Sequence, residues 1–170
     1  MRPIVCLAIA VATVSTAFPS SADAATIVRR MLENGGSACT GALPTYEGAL
    51  RKRPQAIANE GTTTAFVTCS LAINELDASA PHLAYLRLLN NNAVPVSVTC
   101  TFVNGAQWQG SEFFPMTLEL SANGSRNWQW GVVSGTEPFP KRQVNFSCAL
   151  PPGIAVAFVG QEFRQEIGAP

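Results

Sequence analysis

The sequence predicts an all-β protein, a two-layer antiparallel β-sandwich of Ig-like type with about seven strands and two disulfides. Three observations carry that expectation. Apolar and polar residues alternate with a period of two over most of the chain, as half-buried strands require. Clusters of Gly, Pro and Asn punctuate the alternating runs, and helical periodicity is almost absent. Four cysteines, Cys39, Cys69, Cys100 and Cys148, follow a segment that reads as an export signal.

In chain order, Arg2 supplies a small positive start, 4–18 is mainly apolar, and Ala22-Asp23-Ala24 offers small residues where signal peptidase reads. Cleavage is expected before Ala25, leaving one domain over 25–170 and discarding Cys6 with the signal. Thr13, Ser15, Thr16 and Pro19 interrupt the apolar stretch short of the roughly 20 residues that a membrane anchor needs. A secreted or periplasmic protein with no later membrane segment is expected. Residues 25–63 are less regular: 26–32 reads as an edge strand or a helical turn, and 43–61 as a long connection.

The regular part follows. From 67 to 73, Val67, Cys69, Leu71 and Ile73 share one face. From 94 to 102, Val94, Val96, Val98, Cys100 and Phe102 do the same against Pro95, Ser97, Thr99 and Thr101. Phe114, Met116, Leu118 and Leu120 form a third such face, and Trp128, Trp130 and Val132 a fourth. Val144, Phe146, Cys148 and Leu150 form the fifth. Residues directly opposite in a hairpin share a face, so parity constrains loop lengths. A three-residue loop at 122–124, with Gly124 left-handed, sets Leu118 against Trp128 and Met116 against Trp130. The same reasoning at 90–92 pairs Leu88 with Val94 and Leu86 with Val96, and leaves Arg87 in water. At 151–153 it pairs Cys148 with Val156 and Phe146 with Phe158.

Four cysteines admit three connectivities. Cys69, Cys100 and Cys148 project from apolar faces, whereas Cys39 lies among Gly35, Gly36 and Gly41. The preferred pairing joins Cys100 to Cys148 within the core and uses Cys39–Cys69 to tie the N-terminal segment to the sheet. Zinc is disfavoured, because no two of these cysteines lie closer than 30 residues and His82 is the single histidine.

The stretch Leu50-Arg51-Lys52-Arg53-Pro54, continuing through Ile57-Ala58-Asn59-Glu60-Gly61-Thr62 to Ala65-Phe66-Val67-Thr68-Cys69-Ser70, resembles a segment of uncharacterised secreted proteins of Gram-negative bacteria. Strands like Pro95-Val96-Ser97-Val98-Thr99-Cys100 and an ending like Ser147-Cys148-Ala149-Leu150-Pro151-Pro152-Gly153 complete the likeness. It implies export, disulfides and a β fold, and transfers no functional residue.

Composition narrows the function. Eleven Lys+Arg balance eleven Asp+Glu, which argues against a nucleic-acid partner or a polybasic membrane adapter. At 47% hydrophobic the chain is not disordered, and at 13% charged it has few groups for catalysis. A Ser-His-Asp centre would need His82 with Asp77 or with a glutamate in its place, and no G-x-S-x-G elbow supplies a nucleophile. Glu47, Glu60, Glu75, Glu112, Glu119, Glu137, Glu162 and Glu166 stand singly, so nothing selects a glycosidase pair. An even cysteine count removes a thiol nucleophile. The Asn123-Gly124-Ser125 and Asn145-Phe146-Ser147 sequons are common by chance, and irrelevant if the source is bacterial. No cofactor and no enzymatic activity are expected.

Binding is the better prospect. Trp128 and Trp130 share parity with Val132 and belong to the core. Trp108 sits with Gln107 and Gln109 in a polar loop, where an indole and two amides suit stacking on a sugar; the plainer reading has the ring folded over an open end of the sandwich. Arg51, Lys52 and Arg53 form the one cationic run, a solvated loop or a contact for lipopolysaccharide or an acidic polymer. The leading expectation is therefore a non-catalytic exported protein with a structural or binding role. A carbohydrate- or envelope-binding module using Trp108 comes second, and an unrecognised hydrolase third. Exposure of Trp108 beside a concave polar surface separates the first two.

Overall fold

A computed structural model describes residues 25–71, 81–131, 139, 141 and 143–168. The expected export signal with Cys6, and Ile73, Glu75, Asp77, Val132 and Glu137, lie outside the described residues. Eleven described strands form two antiparallel sheets. The five-stranded sheet runs β2(Cys39–Gly41), β5(Ala65–Ser70), β10(Val144–Leu150), β7(Val96–Asn104), β8(Glu112–Leu120). The six-stranded sheet runs β3(Leu50–Arg53), β4(Ala56–Asn59), β11(Ile154–Ile167), β6(Pro81–Asn90), β9(Ser125–Gly131). Its sixth strand, β1(Ala25–Asn34), pairs with β11 beyond β4. Among the described residues no helix is long and apolar enough to cross a membrane.

The core lies between the inward faces that alternation marks. Val67, Cys69, Val98, Cys100, Phe102, Phe146, Cys148, Trp128 and Trp130 are all buried. Phe102 is central: its ring stacks on Phe114 at 5.4 Å, meets Phe139 edge-on at 4.7 Å and lies 6.1 Å from Trp130. Both disulfides join the expected partners, Cys39–Cys69 and Cys100–Cys148. Each bonded pair sits directly opposite in an antiparallel ladder, so both bonds pin neighbouring strands of the five-stranded sheet.

The three expected hairpins are not hairpins. The links at 91–95, 121–124 and 151–153 each carry the chain from one sheet to the other: β6 to β7, β8 to β9, and β10 to β11. Leu86 and Ala84 therefore face Trp128 and Trp130 within the six-stranded sheet, not Val96, and Leu118 pairs with Val98 rather than with Trp128. Parity survives because two strands facing each other across a core share their inside face just as sheet neighbours do. Val94 lies outside β7 and is exposed. At 122–124 the left-handed residue is Asn123 (φ 49°), not Gly124, a conformation that asparagine tolerates better than other side chains. Arg87 does reach water, bonding the Ser125 hydroxyl at 2.7 Å.

Phe158 departs from the expected face for a specific reason. The β11–β6 register slips between Val156 and Phe158, so the extra residue inverts parity and Val159 takes the core position. Phe158 then lies on the outer face, edge-on to Tyr85 at 6.2 Å. The region 25–63 is also more ordered than expected. It contributes four strands, and 43–61 is not a plain connection but holds β3 and β4 behind a one-turn helix, Pro44–Glu47.

Three buried asparagines close the ends of the sandwich. Asn59 donates to the Leu150 and Thr63 carbonyls at 2.7 and 2.8 Å and accepts from the Gly61 amide at 2.9 Å. Asn90 donates to the Val94 and Ser121 carbonyls and accepts from the Asn92 amide. Asn104 donates to Lys141 O at 2.6 Å and accepts from Lys141 N at 2.9 Å. A side-chain amide supplies both donor and acceptor, which is what a strand end needs where the ladder stops.

Candidate functional site

The candidate site lies on the outer face of the five-stranded sheet. Strand register aligns Ser70, Asn145, Val103 and Phe113 in one row across four strands. The next row holds Thr40, Thr68, Ser147, Thr101 and Pro115, and the one after it Phe66, Ala149, Thr99 and Thr117. None of these residues is charged. Thr99 and Thr117 share a hydrogen bond at 2.8 Å, and Phe66 and Phe113 are exposed large hydrophobics.

Trp108 stands at the upper edge of this face. Its loop leaves β7 at Asn104 and turns once through Gln107–Gln109 before β8. Gly105 allows that exit: its φ is +108°, and a Cβ there would meet Gly110 O at 2.7 Å and Lys141 Cγ at 2.9 Å. The Asn104 amide holds Lys141 against the end of β7, while Gly105 N donates to Gln143 O at 2.9 Å. Asn145 Nδ2 donates to Gly105 O at 3.2 Å, joining the loop to β10. The result is a cleft of about 450 Å³, with Trp108 and Gln107 on one side and Thr68, Ser70, Asn145 and Ser147 on the other. The indole is not folded over the end of the sandwich; it is 82% exposed.

Sequence reasoning identified the loop residues Trp108, Gln107 and Gln109, and the structure sets all three in the same turn. It did not find Thr68, Ser70, Asn145 and Ser147, which come from strands far apart in sequence. The signal available was their type: the outward positions of these runs are hydroxyls and amides instead of the usual lysines and glutamates.

Arg51, Lys52 and Arg53 do not join this site. They form β3, the edge of the six-stranded sheet, whose partner β4 lies beside Ala155 and Val156 near the Asn90 end. Trp108 belongs to the other sheet and the other end. Arg53 is paired with Glu60, Nε to Oε1 at 2.9 Å, and Arg51 donates to the Gly48 and Leu50 carbonyls. The run is an edge strand guarded by charge.

His82 is the second residue of β6, and its Nε2 lies 3.6 Å from Glu162 Oε2, while Arg30 Nε bonds Glu162 Oε1 at 2.6 Å. Among the described residues no three His, Cys, Asp or Glu side chains converge as metal ligands. Nearby, burial pushes the Tyr85 phenol above its ordinary value of 10.0; the Glu162 carboxylate adds to the rise and the Arg30 guanidinium opposes it. The neutral phenol is thus favoured by folding. That contribution is complete below pH about 10 and is lost as pH climbs through the raised folded value. Tyr85→Phe is expected to flatten the alkaline limb of a stability–pH curve measured by urea unfolding, with little change near neutrality.

No family model matches the chain, and no curated protein matches it. Solved structures give low-scoring likenesses. The CBM36-1 domain of a multidomain xylanase from the hindgut metagenome of Trinervitermes trinervoides is 12% identical at a TM-score of 0.41, over 84% of this chain and 99% of that one. The family 11 carbohydrate-binding module of Clostridium thermocellum, in complex with a β-1,3-1,4-mixed-linked tetrasaccharide, is 9% identical at 0.36, over 86% and 89%. An exo-β-1,3-galactanase of Phanerochaete chrysosporium, with galactose, is 11% identical at 0.41; 78% of this chain aligns with 29% of it. Likeness at these scores carries no functional argument. The case for a ligand rests on the cleft.

Proposed function

We propose that the protein is an exported, non-catalytic glycan-binding β-sandwich whose ligand lies against Trp108 on the outer face of the five-stranded sheet. The observation that carries this reading is the 82% exposure of the Trp108 indole at the mouth of an uncharged, amide- and hydroxyl-lined cleft. An exposed indole costs hydration unless a partner covers it, and the C–H face of a sugar ring is such a partner. Hydroxyl and carboxamide groups then meet the ring's hydroxyls without desolvating a charge. Of the structural and binding roles open to the sequence, this exposure favours binding. The paired cysteines support an oxidising compartment.

Binding of glycans from an array to the 25–170 protein is expected to weaken at least about tenfold in Trp108→Ala, roughly 1.4 kcal/mol. With no charge in the cleft, affinity should hold from low to high salt. Calorimetry on the array's best ligand provides the measurement. A protein that binds no glycan, or a Trp108→Ala variant that binds equally well, would remove the reading.

A further inference from the structure

The six-stranded sheet carries a separate feature on its own outer face. Tyr85 lies across Gly160: a Cβ at that glycine would come within 2.5 Å of Tyr85 Cζ and 2.8 Å of Met31 O. The ring therefore rests on bare backbone, and Phe158 meets it edge-on at 81°. Gln129 is directly opposite Tyr85 on β9, and Asn127 is two residues before it on the same face. Both residues are exposed, and among the described residues no hydrogen bond reaches either carboxamide or the Tyr85 hydroxyl. The far wall is the Arg30–Glu162 pair, in which Glu162 Oε1 takes the guanidinium bond and Oε2 lies 3.6 Å from His82 Nε2, leaving a lone pair of that oxygen for a donor. Tyr85, Asn127, Gln129, Arg30 and Glu162, with Leu83, line an open pocket of about 180 Å³.

We propose that this pocket is a second binding site, independent of Trp108, which takes a single neutral polyol ring of pyranose size. Size sets the first limit: about 180 Å³ is well under half of the Trp108 cleft's 450 Å³ and gives room for one ring against Tyr85. Charge sets the second. Arg30 and Glu162 neutralise one another, so neither an anion nor a cation gains by entering. Recognition falls to a fixed aromatic face, two carboxamides that each donate and accept, a phenol hydroxyl and one carboxylate oxygen. That set matches adjacent ring hydroxyls, each of which is both donor and acceptor. The phenol keeps its proton, since burial and Glu162 raise its ionisation above the ordinary range. No residue is shared with the Trp108 cleft, and the two sites face away from each other on opposite sheets.

The test is an NMR titration of the 25–170 protein with glucose, galactose, mannose and N-acetylglucosamine, each alone. At least one of them is expected to move the backbone amides of Tyr85, Asn127 and Gln129. Gln129→Ala, at an exposed position that leaves the core intact, should weaken that response at least about fivefold, and Trp108→Ala should leave it unchanged. The proposal is overturned if none of the four sugars moves these amides, if Gln129→Ala binds as the parent does, or if the response vanishes in Trp108→Ala. Because these probes are single rings and the Trp108 variant is an arm of the test, the second site can fail or stand whatever the array shows for the first.

Discussion

Replacing Cys100 and Cys148 together by alanine is expected to lower the free energy of unfolding by about 4 kcal/mol. The bond spans a sequence separation of 48, and constraining the unfolded chain over such a loop is worth roughly 4.1 kcal/mol on a chain-entropy estimate. Against a total stability of about 5–15 kcal/mol this is a large share. The native state loses little by comparison, because β7 and β10 remain paired through six residue pairs from Val144–Asn104 to Ala149–Thr99. The variant should therefore fold, with unchanged far-ultraviolet circular dichroism and a urea midpoint well below the parent's. Removing Cys39–Cys69, separated by 30, is worth about 3.7 kcal/mol on the same estimate but should look different. β2 has only three residues, paired on one side to β5, so without its bond it should open locally. Hydrogen exchange is then expected to accelerate at Thr40 and Gly41 before the rest of the sheet. A Cys100/Cys148 double variant within 1 kcal/mol of the parent would mean that the paired strands, not the cross-link, hold this sheet closed.

Burial was legible in the sequence, and partnership was not. Alternation placed Phe102, Trp128, Trp130 and Cys148 inside because an inward face has one parity whatever strand lies beside it. Which strand that is depends on contacts distant in sequence, and a link of three to five residues serves a hairpin and a sheet-to-sheet crossing equally well. β1 escaped a firm reading for another reason. It is an edge strand paired only with β11, and Val28 and Leu32 stay exposed on a face that never meets the core. β4 is buried at all four positions, so Ala-Ile-Ala-Asn shows no alternation, and its charged neighbour β3 shows an edge's chemistry. Phe158 was lost to a bulge, which no pattern of period two announces. At the candidate site the loop residue Trp108 was legible from its polar surroundings. The cleft was not, since its opposite wall is assembled by pairing β5 with β10.

The second large effect is expected at Asn90, which is 2% exposed and holds two of the sheet crossings together. Its Nδ2 donates to Val94 O at 2.9 Å in the β6–β7 link and to Ser121 O at 3.0 Å after β8, with Leu120 O at 3.3 Å sharing the same two hydrogens. Its Oδ1 accepts from Asn92 N at 2.9 Å. Asn90→Ala leaves two carbonyls and one N–H without their partner; at about 1–3 kcal/mol for each group left dry, and with water reaching some of them, the cost should be about 3 kcal/mol. Asn92→Ala, which loses a single bond to Pro152 O in a half-buried place, should cost about 1 kcal/mol. Asn90→Asp isolates the donor, because shape is kept while the amide hydrogens are replaced by an oxygen aimed at carbonyl oxygens. Burial and those lone pairs would raise the new carboxyl above the unfolded value of about 3.9. The sign follows: the protonated acid still donates one bond, so the variant is most stable below pH about 4 and loses stability as pH rises through the raised folded value. At neutral pH it should unfold at least as readily as Asn90→Ala. An Asn90→Asp variant whose urea midpoint, relative to the parent's, ignores pH would show that water and not the amide satisfies the chain where it crosses between the sheets.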